Sequence, residues 1–173
     1  MNDNNKLYFS FRSIHKTLAQ MAANIRESGY SPDVIVAIGT GGFIPARILR
    51  TFINIPILTV GLKFYDDDNQ PIERPQKIQW IDEVEQKLTG KRILLVDEID
   101  DTRTTLAYCL RELLRYNPSE IAVAVLHMKK KQKKDQFPGG IKHYFVGKEI
   151  DDKWIYYPWD AKDIDEYNKL ISE

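Results

Sequence analysis

The chain has one cysteine, Cys109, in 173 residues, which excludes an intramolecular disulfide. Cys109 falls inside a helical pattern and reads as a buried structural thiol. No apolar run approaches the roughly 18 residues of a membrane helix. Met1 to Lys6 is polar and lacks the apolar core of a signal peptide, so the expectation is a soluble protein of the cytoplasm. Neither sign of charge is in excess: 25 Lys plus Arg balance 25 Asp plus Glu, so no global field draws the chain to nucleic acid or membrane. The three histidines, His15, His127 and His143, share no metal-ligand spacing, which speaks against zinc. There is no Gly-x-Ser-x-Gly elbow, no Lys-Ser/Thr ending to a nucleotide P-loop and no dinucleotide fingerprint. Hydrolase and thiol-enzyme chemistry thereby lapse.

What is present centres on Ile93-Leu94-Leu95-Val96-Asp97-Glu98-Ile99-Asp100-Asp101-Thr102-Arg103-Thr104-Thr105. Four consecutive aliphatic residues predict a strand buried on both faces, as in a parallel sheet. Adjacent carboxylates stand at its C-terminal end, and Leu106, Leu110, Leu113 and Leu114 then repeat at helical spacing. A strand, loop and helix of this kind offers backbone N–H groups and Thr hydroxyls to an anion at the helix N-terminus. The acid pair would repel that anion but accepts hydrogen bonds from hydroxyls, or binds a cation. An anion cradle beside a diol or metal site points to a ribose phosphate.

The remainder alternates in the same way. Ser13 to Ser28 carries Ile14, Leu18, Met21, Ala22 and Ile25 on one helical face. Val34 to Ile38 is a second apolar strand, and it runs into Gly39-Thr40-Gly41-Gly42, where glycines permit positive φ and close backbone approach to a ligand. Pro45 suits the first turn of the helix that follows. Ile57 to Leu62 and Ile121 to Leu126 predict further strands. Between Asp66 and Pro75 the polar residues and two prolines predict a mobile surface loop of a length that is usually functional. Lys129 stands just past a strand end, with donors and no acceptor to offer. The basic run Lys129 to Lys134 lacks interleaved aromatics and reads as a solvated loop rather than a nucleic-acid patch. The fold class expected is α/β: one domain over 1–173 whose mainly parallel sheet is flanked by helices, with its core at about 30–130.

The central stretch resembles the phosphoribosyl-pyrophosphate (PRPP) signature of the type I phosphoribosyltransferases, with Arg103 where the pattern usually has Gly. The segment Glu149 to Asp160 resembles the base-binding hood of the purine-salvage branch, hypoxanthine-guanine and xanthine phosphoribosyltransferases, and would lie within a hood of about 135–173. The resemblance implies transfer of 5-phosphoribosyl from PRPP to N9 of a 6-oxopurine, giving a nucleoside monophosphate and pyrophosphate. It implies that Asp97 and Glu98 hold the ribose hydroxyls, and that Asp101, Thr102, Arg103, Thr104 and Thr105 cradle the 5′-phosphate. Gly39, Thr40, Gly41 and Gly42 would contact pyrophosphate. Asp101 would be the general acid-base near purine N7, and Tyr65 would belong to a loop that closes over the reacting centre. Lys129 would read the 6-oxo group, Trp154 would stack on the purine, and the Ile155 carbonyl would read its exocyclic edge. Mg²⁺ is the cofactor implied, with Glu98 and, through water, Asp160 as its residues. A homodimer or homotetramer is expected by the same analogy. The alternative is a non-catalytic sensor of nucleotide or PRPP on the same fold.

Overall fold

The computed structural model describes residues 6–65 and 71–171, the side chains of 64, 65 and 71–74 excepted. Three apolar runs form its centre as β2 (Val34–Gly39), β5 (Arg92–Asp100) and β6 (Glu120–Lys129). With β3 (Ile57–Tyr65), β4 (Pro71–Gln79) and β7 (Tyr144–Ile150) they make a sheet of order β4-β3-β2-β5-β6-β7. Every pairing is parallel except β3 with β4.

Strand alternation divides the core in two. Ile35, Ala37, Leu94, Val96, Ala122, Ala124 and Leu126 meet α1 (Phe11–Glu27) and α2 (Phe43–Ile53). Val36, Ile38, Ile93, Leu95, Ile121, Val123 and Val125 meet α3 (Val84–Leu88) and α4 (Thr104–Leu114) on the opposite face. Burial on both faces is why these strands read as unbroken apolar runs. The chain steps one way from β2 to β3 and the other way to β5, so a crevice opens beyond the carboxyl ends of β2 and β5.

Three departures from the sequence expectations matter. From Pro71 onward the anticipated loop is a strand, antiparallel to β3. Its two prolines are tolerated because β4 is an edge strand, where a missing N–H breaks no inner ladder. Residues 66–70, the centre of that expected loop, lie outside the described residues. Next, β6 runs on through Lys129 because β7 pairs with it to the end, Lys129 opposite Ile150. Last, Lys6–Tyr8 forms β1, which pairs in parallel with β8 (Trp154–Tyr156) as a separate small sheet. A short α5 (Ile164–Lys169) locks this pair: the Tyr167 hydroxyl accepts from Phe9 N–H at 3.1 Å and lies 2.7 Å from the Tyr156 carbonyl. No helix among the described residues is long and apolar enough to cross a membrane.

Candidate active site

A cavity of about 320 Å³ occupies the crevice beyond β2 and β5. Of the residues anticipated from sequence, Gly39, Thr40, Gly41, Asp97, Glu98, Asp101, Thr102, Arg103 and Thr105 line it. Gly39 and Gly41 serve by close approach, not by positive φ, which neither they nor Gly42 adopts. A Cβ on Gly41 would collide with the Glu98 carboxylate. Gly42 stands apart from the cavity: its N–H donates to the Ile38 carbonyl at 2.9 Å, and a Cβ there would lie 2.7 Å from the Ile38 and Val96 carbonyl oxygens. It is a packing glycine that seats α2 on β5, so its amide is not offered to a ligand.

On the β5 side, the first helical bond of α4 runs from Ala107 N–H to the Arg103 carbonyl at 2.9 Å. The amides of Thr104, Thr105 and Leu106 precede it and have no partner within the helix, which makes this end an anion receptor. Thr104 does not line the cavity; its hydroxyl accepts from that of Thr102 at 3.1 Å. Asp97 is buried, and burial, with Glu98 next to it, pushes its carboxyl well above the usual carboxylate range. A carboxyl shifted this way holds a proton more readily than a free one, and in that form it donates as well as accepts, which suits a diol.

Arg103 takes φ of 70°, the left-handed conformation that favours glycine. Its guanidinium reaches back to the fully buried Asp100, with Nε and Nη2 donating to Oδ2 at 3.0 and 2.7 Å. The Tyr144 hydroxyl donates to the same oxygen at 2.6 Å, and the Phe137 ring lies 4.3 Å below the guanidinium. The Arg103 backbone is therefore at the cavity while its charge is largely committed to Asp100.

Asp101 joins this cavity to a second group of residues. Its Oδ1 has Lys131 Nζ at 2.5 Å and Lys129 Nζ at 3.4 Å, and Asp152 Oδ1 faces the same two ammonium groups at 3.1 and 3.4 Å. Lys129 is buried at the end of β6, and Trp154 on β8 is 67% exposed, so its indole is accessible to a flat ring. Ile155 faces the core, and Asp160 is exposed in a 3-10 turn at Pro158–Asp160. None of Lys129, Trp154, Ile155 and Asp160 lines the cavity itself. The Tyr65 side chain lies outside the described residues.

Sequence reasoning missed several contributors. Lys131 and Lys133 were indistinguishable within a basic run. Asp100 could have been found from its spacing of three before Arg103, the distance at which opposite charges meet in a turn. Tyr157 carried no signal: its hydroxyl donates to the Glu98 carbonyl at 3.2 Å and meets His127 Nδ1 at 2.9 Å. Among the described residues no group of three or more His, Cys, Asp or Glu gathers to hold a metal.

The family model described as phosphoribosyl transferase domain matches residues 8–164. The chain is 43% identical to the hypoxanthine-guanine phosphoribosyltransferase of Schizosaccharomyces pombe, over 97% of this chain and 95% of that one. It is 37% identical to xanthine phosphoribosyltransferase 1 of Saccharomyces cerevisiae, over 98% of this chain and 97% of that one. Among solved structures, a hypothetical protein from Neisseria gonorrhoeae with bound ppGpp matches at a TM-score of 0.90 and 46% identity, covering 98% of this chain and 97% of that one.

Proposed function

Because the chain belongs to the phosphoribosyl transferase domain family, we propose that it is a purine-salvage enzyme that transfers 5-phosphoribosyl from PRPP to N9 of a 6-oxopurine. Hypoxanthine and guanine are favoured and xanthine is a further candidate; the products are the nucleoside monophosphate and pyrophosphate. The observation that carries this reading is the position of Asp101, which lines the ribose-phosphate cavity and also touches Lys129, a buried donor suited to a 6-oxo group.

In this reading the first-turn amides of α4, with the hydroxyls of Thr102 and Thr105, hold the 5′-phosphate, and Thr104 steadies Thr102. Arg103 shapes that turn. Asp97 and Glu98 hold the ribose hydroxyls, and the backbone of Gly39, Thr40 and Gly41 faces pyrophosphate. Lys129 donates to O6, where an amino group would meet it donor to donor, Trp154 stacks on the base, and the Ile155 carbonyl accepts from its edge. As the bond from C1′ to pyrophosphate oxygen breaks and that to N9 forms, Asp101 takes up the proton the base releases. Tyr65 would help exclude water from the cationic sugar.

Mg²⁺ fits this donor set, because it keeps several waters and takes its oxygens largely from phosphate, so few protein ligands are needed. Glu98, and Asp160 through water, would hold it, and when bound it supplies positive charge to neutralise the departing pyrophosphate. Family resemblance supports assembly as a homodimer or homotetramer in the cytoplasm.

The test is an ultraviolet assay with PRPP and Mg²⁺ against hypoxanthine, guanine, xanthine and adenine in turn. Turnover of 6-oxopurines without adenine is expected; turnover of adenine alone, or of none, overturns the reading. The ppGpp held by the Neisseria gonorrhoeae protein favours a second ligand for the same site here. Its guanine would meet Trp154 and Lys129, and a phosphate would meet α4. Calorimetric titration in the presence of PRPP should show competition, and independent binding would refute a shared site.

A further inference from the structure

Lys133 sits in the basic run that composition assigns to solvent, yet its side chain is only 13% exposed. Its ammonium group spends three donors on three main-chain carbonyls: Asp100 at 2.8 Å, Asp101 at 3.0 Å and Lys129 at 2.8 Å. An ammonium has three donors and no more, so its hydrogen bonding is complete, and the buried Asp100 carboxylate lies 3.6 Å away as its counter-charge. The location is specific. The ladder between β5 and β6 ends with Asp100 opposite Met128, so Asp101 and Lys129 lie just past the last paired residues. No strand bond fixes their separation there, and Lys133 bridges the gap. The same segment returns over the phosphate turn, where Lys134 N–H donates to the Thr102 carbonyl at 3.0 Å.

We propose that Lys133 is a positioning residue for purine recognition, its ammonium fixing the backbones of Asp101 and Lys129 so that one carboxylate and one ammonium face N7 and O6 of the same base. This rests on the assignment of Asp101 and Lys129 to the purine made above. Lys133 touches no substrate; it acts through the two residues that do. A misplacement of about 1 Å at reacting groups lowers rates by about 10²-fold, and a cradle of three charged hydrogen bonds is a means of preventing one.

The test is Lys133→Ala, assayed for kcat and KM with each purine and with PRPP, with and without propylammonium, which replaces the atoms removed. Lys133→Met, which fills the space without donating, guards against a folding failure of the alanine variant. The expected result is a fall of about 10- to 100-fold in kcat/KM for 6-oxopurines, a narrowed preference over adenine, and little change in KM for PRPP. Propylammonium should restore the alanine variant and not the methionine variant. Equal losses toward PRPP and purine, or loss without rescue, would make Lys133 a general buttress and overturn the proposal, as would unchanged kinetics. Lys129→Ala run in parallel separates the two readings. If it alone loses the 6-oxo preference, the positioning role fails; if no variant loses it, the assignment of Lys129 fails first.

Discussion

Asp101 and Lys129 each face two demands, and their substitutions should separate them. Asp101→Asn keeps the shape of the side chain but cannot take up a proton, and it removes the negative charge beside Lys131. Turnover should fall by about 10²- to 10⁴-fold, while PRPP affinity, measured by calorimetry, changes little. Equal losses in single-turnover rate and in binding would deny the acid-base role. Lys129→Ala removes a charged donor worth about 1.5–3 kcal/mol, so preference for hypoxanthine over adenine should shrink by about 10- to 100-fold. Relative kcat/KM values for the two bases check this. These residues were legible because both stand at strand ends, where a side chain past an apolar run has few alternatives to facing the ligand edge. Lys131 and Lys133 were not, since nothing in a basic run says which ammonium turns inward until the carbonyls it caps are known.

At the scale of elements, the two loops that wall the cavity are held by opposite means. The loop after β2 is bare so that Glu98 can approach it. Gly41→Ala would place a methyl in the Glu98 carboxylate, the far end of a flexible, half-buried side chain that can turn aside at small cost to stability. The loop or Glu98 must yield, so KM for PRPP should rise while the melting temperature changes little; an unaltered KM would show that neither matters to PRPP. The loop after β5 instead carries a large side chain at a left-handed residue. Arg103→Gly keeps that backbone and removes the two donors to Oδ2 of a fully buried carboxylate. Asp100 then keeps the Tyr144 hydroxyl and Lys133 at 3.6 Å, so stability in urea should drop by about 1.5–3 kcal/mol for the lost charged hydrogen bonds, and in the double variant with Asp100→Leu the two losses should not add. A double variant whose loss equals the sum of the two single losses would deny the coupling. The apolar runs of β2, β5 and β6 made these loops readable, because burial on both faces leaves a plain signature. β1 and β8 left none: at three residues each they exist only because each is the other's partner.

The molecule as a whole carries a buried imidazole between its two sheets. His127, on β6, stacks on Phe9 at 4.2 Å and meets the Tyr157 hydroxyl, and burial, with Lys148 as a lesser cause, lowers its pKa to about 3. The unfolded chain binds a proton near pH 6.5 that the folded chain refuses until about pH 3. Stability from this group is therefore complete above pH 6.5 and declines as pH falls toward 3, with a slope of at most about 1.4 kcal/mol per pH unit. Denaturation in urea at several pH values should show this slope, and His127→Asn should flatten it; an unchanged slope would assign the effect elsewhere. The pairing of β1 with β8 has a further consequence, in the order of synthesis. Leu7 precedes Ile155 along the chain and finds this partner only when Ile155 has left the ribosome in its turn. The phosphate turn, built from β5 and α4, is made well before that. In that interval the chain already holds the turn assigned to the phosphate and still lacks Trp154, the ring assigned to the base.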